Sequence, residues 1–390
     1  MNIDSELLAN KIVGAIKNVV GENSVNLHEP VFAKNEKIYL NECIDSTFVS
    51  SVGKFVDKFE DDLASYTKCT KAIAVVNGTS ALHLGLILAG VERGDEVLMP
   101  SLTFVATANA VSYCGAVPHF VDSSYEDLGI DAGKLRKYLH SLCEIKNGIC
   151  FNKKTGRIIK AIIPMHAYGN PSNIIELVNI SNEFNIVLIE DAAESLGSFV
   201  GLKHTGSFGL LGILSFNGNK TITTGGGGAI ITDNEEIAYK AKHLSTTAKL
   251  SHKWSFVHDK VGFNYRMPNL NAALGCAQLE NLPNMLAQKR KLFHAYEDVL
   301  SDIKGLRILK ESKGCKSNYW LQTIILDEHN KDALDTILSI TNDNGIGTRP
   351  TWALMHHLPM YKDCPRADLS TSESLEKRII NIPSSSFLLD

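Results

Sequence analysis

From Lys71 to Glu194 short apolar runs alternate with helix-like stretches, and this alternation constrains the fold more than any other feature of the chain. "KAIAVVNG", "DEVLMP", "VPHFVD", "KAIIPMHAYG" and "IVLIEDAAE" read as strands. "TSALHLGLILAGV", "TFVATANAVSYCG" and "IIELVNISNEFN" read as the helices between them. Strands separated by helices must be joined by crossovers, which places them side by side in a mostly parallel sheet buried on both faces. An α/β class follows. Ligands of such sheets lie beyond the carboxyl ends of the strands, so the residues just after each run are where chemistry is expected.

Outside this region the pattern differs. "MNIDSELLANKIVGAIKNVV" is amphipathic and acidic early, a helix rather than a signal peptide, and "FVSSVGKFVDKFEDDLASYTKC" spaces Phe55, Phe59, Leu63 and Tyr66 as a helix does. After "LLGILSF" and "GGAIITD" the alternation loosens. A long helical stretch opens at the proline of "NYRMPNLNAALG". Strand-like "SNYWLQTIIL", a helix near Lys331 to Asn344 and the loop "GTRPTWALMHHLP" follow. A chain of 390 residues suits two packed domains. The expected division is an N-terminal helical segment over 1–30, a large domain over 31–262 and a smaller C-terminal α/β domain over 263–390.

A formal net charge of −4 offers no basic surplus for nucleic acid. The eight cysteines form no CxxC pair and follow no zinc-type rhythm, so they read as thiols in a reducing compartment. No apolar run approaches the roughly 20 residues that cross a bilayer. The expectation is a cytoplasmic protein with no membrane and no nucleic-acid partner. His356 and His357 are adjacent, and neighbours on an extended chain point apart, so no metal site is expected there.

The strand ends carry candidate chemistry. Gly78, Thr79 and Ser80 open a helix, where free N–H groups and the helix dipole favour a phosphate; an ordinary Ser/Thr cap is the alternative. Phe104 is either a flat floor for a planar ring or core. Asp191 ends an apolar strand, where an acid is costly without a partner; it either holds a proton on a ring nitrogen or caps a turn. Lys220 stands before Gly225 to Gly228, but Asn219 separates it from Gly218, so a Walker loop is excluded. Glycines there let the backbone turn close to an anchored group. A phosphate site, an aromatic cover, a carboxylate for a pyridinium and an imine-forming lysine together fit one molecule, pyridoxal 5′-phosphate.

The ordered motifs "NGTSALHLGL", "GDEVLMPSLTFVATANAV", "EDAAESLGS", "SFNGNK", "GGGGAIITD" and "GFNYRMPNLNAALG" resemble the DegT/StrS group of sugar-nucleotide aminotransferases from about residue 28 onward. The finer likeness is to the branch serving legionaminic acid and bacillosamine-type sugars. The resemblance implies the fold-type-I architecture, a large domain with a mostly parallel seven-stranded sheet plus a smaller C-terminal domain. It also implies a homodimer with shared active sites. By motif, Lys220 is the imine lysine and Asp191 the partner of the pyridine nitrogen. Phe104 stacks on the ring, Thr79, Ser80 and Ser215 surround the phosphate, and Asn264 reaches the phosphate of the neighbouring subunit's cofactor. Glu194 stands where glutamine is common, beside the phenolic oxygen. Arg349 and Tyr319 are the expected substrate contacts, Arg349 toward a diphosphate. Gly226 lacks an acid many members carry, and Asn217 and Gly218 replace a His or Tyr and a Pro. Relatives that deoxygenate sugars carry histidine at the lysine position, so Lys220 points to amino transfer.

The expected reaction moves an amino group from L-glutamate to a nucleotide-linked 4-keto-6-deoxy sugar, with a UDP-linked N-acetylhexosamine as the first reading. Amination at C3 and a GDP-sugar (perosamine-type) 4-aminotransferase are the alternatives within enzymes. An inactive cofactor- or sugar-nucleotide-binding sensor and a purely structural dimer are the alternatives outside them.

Overall fold

The computed structural model describes residues 3–389. Met1 and Asn2 of the expected first helix, and Asp390 at the far end, lie outside the described residues. In the first part of the chain the strands are β1 (Lys71–Val75), β2 (Glu96–Pro100), β3 (Val117–Val121), the hairpin β4 (Cys143–Lys146) and β5 (Ile149–Asn152), β6 (Ile159–Ile162) and β7 (Val187–Asp191). Then come the short β8 (Phe199–Val200) and β9 (Lys203–His204), β10 (Leu211–Ser215) and β11 (Gly228–Thr232). The central seven-stranded sheet has the order β1–β11–β10–β7–β6–β2–β3. From β10 across to β3 the neighbours are parallel, and β11 runs antiparallel to both β1 and β10. The link from β10 to β11 contains no helix, so it turns the chain straight back and leaves Lys220 at the carboxyl end of β10.

Most strand residues are apolar because both faces are covered. Ile73, Val75, Leu211, Ile213 and Ile230 pack with the helices Gly78–Leu88, Val105–Tyr113 and Glu235–Ser245. Their chain neighbours Ala72, Ala74, Leu214, Ala229 and Ile231 face the other way, onto the helix Lys54–Thr67 and the first half of the helix Asn269–Leu300. That is the period of two of a pleated strand. Under β6 and β7 lie the helices Ala132–Leu142 and Ile174–Phe184. The hairpin and the helices Ala132–Leu142 and Glu235–Ser245 are elements the alternation alone does not announce.

A second, four-stranded sheet is built from β12 (Leu306–Ile308), β14 (Gln322–Leu326), β15 (Arg349–Pro350) and β16 (Ile379–Ile382) in the order β12–β14–β16–β15; β13 (Cys315–Lys316) joins β8 and β9 instead. Its core includes Ile324, Ile380 and Ile337, and the N-terminal helix Ile3–Val20 buries Ala9, Ile12 and Ile16 in the same cluster. The helix Asn269–Leu300 belongs to both cores, with Ala272 to Met285 in one and Leu292, Phe293, Tyr296 and Leu300 in the other. Among the described residues no helix is long and apolar enough to cross a membrane.

Candidate active site

The carboxyl ends of β1, β7 and β10 border a cavity of about 330 Å³. Gly78, Thr79, Phe104, Asp191, Glu194, Ser215 and Lys220 all line it. The helix Gly78–Leu88 is capped by Asn77, whose Oδ1 accepts from the Ser80 N–H at 2.7 Å. The cap is therefore neither Thr79 nor Ser80. Ser80 lies a step behind the wall, while Gly78 and Thr79 bring the first N–H groups of the helix to it.

Close backbone packing shapes that corner. A Cβ on Gly78 would lie 3.0 Å from Ser215 Cβ, and one on Gly228 would lie 2.5 Å from the Asn77 carbonyl carbon. The last glycine of the run thus lets β11 press against the start of the helix, rather than against a ring. Gly225 is needed for another reason, its φ of +78°.

Asp191 is buried at the end of β7, with Oδ2 accepting from Thr107 Oγ1 at 2.7 Å and Oδ1 from the Ala193 N–H at 3.3 Å. Burial raises its carboxyl above the usual range, and Thr107 is the foremost group pulling it back toward the ionised form. Thr107 follows Phe104 by three residues, and the sequence reading passed it over. Phe104 is 50% exposed, which removes the core alternative for this residue.

Lys220 Nζ lies 3.1 Å from Glu194 Oε1 and 3.9 Å from the ring centre of Trp320. Glu194 Oε2 accepts from the Tyr168 N–H at 2.9 Å. Tyr168 is held at φ 56°, a left-handed conformation for a residue with a Cβ, and its ring stacks on Trp352 at 4.9 Å. Burial raises the Glu194 carboxyl more than the Lys220 ammonium lowers it.

The sign of that shift sets a test. An acid whose folded value is raised stabilises the fold below its unfolded value and loses that contribution as pH rises through the folded one. In the cofactor-free protein, Glu194→Gln should therefore gain in melting temperature relative to wild type as pH rises from about 5 to about 8. Parallel melting curves across that range would show that Glu194 does not titrate there.

Other sequence-derived candidates lie elsewhere. Asn264 is exposed, outside the cavity, and its Oδ1 accepts from Arg266 at 3.4 and 3.5 Å. Arg349 is exposed on β15 and donates to Asn342 Oδ1 at 3.0 Å and Thr348 O at 2.8 Å. Tyr319 does not reach the cavity: it is buried against Phe293, with ring centres 4.1 Å apart. Its neighbour Trp320 does reach it, as does Trp352. His356 and His357 share one 3₁₀ turn with ring centres 4.1 Å apart, so the extended-chain expectation fails for them. His356 bonds Ser101 Oγ at 2.8 Å and pairs with Glu373, and His357 pairs with Glu376.

The cavity's donor set fits pyridoxal 5′-phosphate. A helix N-terminus with the Ser215 and Thr79 hydroxyls suits the phosphate, a buried carboxylate suits a protonated ring nitrogen, and an amine stands between an acid and an aromatic ring.

Residues 30–390 match the model of the DegT/DnrJ/EryC1/StrS aminotransferase family. The chain is 38% identical over 361 residues to GDP-perosamine synthase of Vibrio cholerae, covering 92% of this chain and 94% of that protein. It is 36% identical to GDP-perosamine synthase of Caulobacter vibrioides over 92% of each. The solved aminotransferase TlmJ from Streptoalloteichus hindustanus superposes with a TM-score of 0.83 at 25% identity, covering 93% of this chain and 94% of that one. A match over this length, with a lysine, an aspartate and a capped helix gathered at one cavity, makes the chain a member of the DegT/DnrJ/EryC1/StrS family of pyridoxal phosphate-dependent aminotransferases.

Proposed function

We propose that the chain transfers an amino group from L-glutamate to C4 of a GDP-linked 4-keto-6-deoxy sugar, giving a 4-amino sugar for surface polysaccharide. The observation that carries the chemistry is Lys220 Nζ, seated between Glu194 and Trp320 in the cavity that Asp191 lines. The nucleotide and the carbon rest on likeness to two GDP-perosamine synthases, at 38% and 36% identity. That likeness favours a GDP-sugar over the UDP-linked N-acetylhexosamine and over the legionaminic acid and bacillosamine branch.

Pyridoxal phosphate supplies a carbonyl that accepts the amino group and a ring that takes up electrons from the donor's α-carbon. Asp191, where Thr107 opposes the upward push of burial on the carboxyl, would hold a proton at the ring nitrogen. Gly78, Thr79 and Ser215 would hold the phosphate at the helix N-terminus. Lys220 would take the α-proton of the amino donor on Nζ and pass it on from the same atom to a different carbon, acting as base and then acid. Phe104, Trp320 and Trp352 give the cavity its aromatic walls. Asn264, exposed and outside its own chain's cavity, is free to serve a second copy in a homodimer.

Purified protein should show a visible yellow band that L-glutamate bleaches. The bleached protein should then aminate a GDP-linked 4-keto-6-deoxy sugar in preference to its UDP-linked N-acetyl counterpart, with nitrogen on C4 by NMR of the product. Nitrogen on C3, or preference for the UDP compound, would overturn the substrate assignment. A protein that stays colourless with added pyridoxal phosphate would overturn the aminotransferase reading for this chain.

A further inference from the structure

Lys289 lies in the middle of the helix Asn269–Leu300 with its side chain wholly inside the protein. An ammonium removed from water is costly unless its protons are met. Here Nζ donates to Ser384 O at 2.6 Å and Trp320 O at 3.0 Å, and meets His28 Nε2 at 2.9 Å. Three acceptors match the three N–H bonds of an ammonium. Burial lowers the lysine to about 7, and burial also holds His28 well below its ordinary value, with Lys289 adding to the shift. One nitrogen thus ties together the long helix, the N-terminal segment at His28, the chain entering β14 and the chain leaving β16.

The Trp320 contact leads to the cavity. The indole faces Lys220 Nζ at 3.9 Å, its Nε1–H donates to Asn219 O at 2.6 Å, and its backbone N–H donates to Asn318 Oδ1 at 2.8 Å. Trp320 therefore grips the lysine both at its amine and at the peptide before it. Tyr319, immediately upstream, has φ 47°. A non-glycine residue keeps such a conformation only where its surroundings over-determine it, and the Lys289 bond to the Trp320 carbonyl is part of that determination.

We propose that Lys289 is a positioning residue for Lys220, acting through Trp320: by fixing the Trp320 carbonyl it sets the indole against Lys220 Nζ and the Asn219 carbonyl. This rests on the reading of Lys220 as the amine that moves the donor's α-proton. The indole and Glu194 together hold that amine in the cavity.

Lys289→Met keeps a long unbranched side chain and removes the donors. In cofactor-free protein, the rate at which acetic anhydride labels Lys220 at fixed pH, read by peptide mass spectrometry, should rise about threefold as the indole loosens. In the loaded protein, bleaching by saturating glutamate should slow about tenfold, while the half-saturating glutamate concentration stays put. Trp320→Phe, which keeps a ring but loses the bond to Asn219, should reproduce both changes and serves if Lys289→Met does not fold. Unchanged labelling in a folded variant overturns the proposal, even if its melting temperature drops, because a merely structural role moves only the latter. The labelling needs neither cofactor nor substrate. A wild-type protein that glutamate fails to bleach would therefore count against the aminotransferase reading, while the labelling still judges Lys289.

Discussion

Lys220→Ala is expected to abolish the bond between cofactor and protein that borohydride would otherwise make permanent, and to lower turnover by about 10³ or more. Two functions are lost together, the covalent anchor and the proton carrier. They can be separated. The shortened side chain leaves room beside Glu194 and Trp320, so a small primary amine such as ethylamine should restore part of the proton transfer without restoring the anchor. The fold should survive. Glu194 loses its cation, but burial already favours its neutral form, so it can take up a proton rather than remain a buried charge. A variant that keeps wild-type turnover would move the chemistry away from Lys220 altogether.

Asp191→Asn is expected to lower turnover by about 10² to 10³, the cost of removing one partner of a buried charged pair. The change is nearly isosteric. An asparagine carbonyl can still accept from Thr107 or Ala193, so the loss should fall on the reaction and not on the melting temperature. The amide carries no negative charge to hold a proton at the ring nitrogen. Glutamate should still bind with a similar half-saturating concentration while bleaching slows. A large rise in that concentration with an unchanged rate would mean that Asp191 serves binding, as the turn cap that its bond to the Ala193 N–H also allows.

How much of this was legible depended on whether the signal was local. Strands such as β1 and β11 announced themselves because Ile73 and Val75 face one core while Ala72 and Ala74 face the other, so consecutive positions are apolar. The helix Ala132–Leu142 did not, since its buried face is narrow, made by Ala132, Leu135, Leu139 and Leu142 with Tyr138 half-buried beside them. Asp191 was readable because ligands of a parallel sheet gather beyond its strand ends, Lys220 from the glycines that follow it, and Ser215 only from the family resemblance. Trp320 was not. It comes from a stretch a hundred residues further on, and the left-handed backbone at Tyr319 decides which of two adjacent aromatics meets the cavity. Arg349 was selected by the family resemblance of its loop, which does not say that its guanidinium is engaged by Asn342 and Thr348. The two histidines were misread because a single 3₁₀ turn, too short to leave a periodicity, replaces the extended chain assumed there.

The packing of the helix Ile3–Val20 bears on how the chain is made. Its buried face rests on the helix Leu334–Asp343 and on the second half of Asn269–Leu300. At about 5 to 20 residues per second, the ribosome needs roughly 15 to 60 s to produce the more distant of those partners. Through that interval Ile12 and Ile16 have no native surface to cover them, while the central sheet can already assemble behind them. This helix is made well before the partners it docks on, and until they follow its apolar face is a surface that a chaperone can cover.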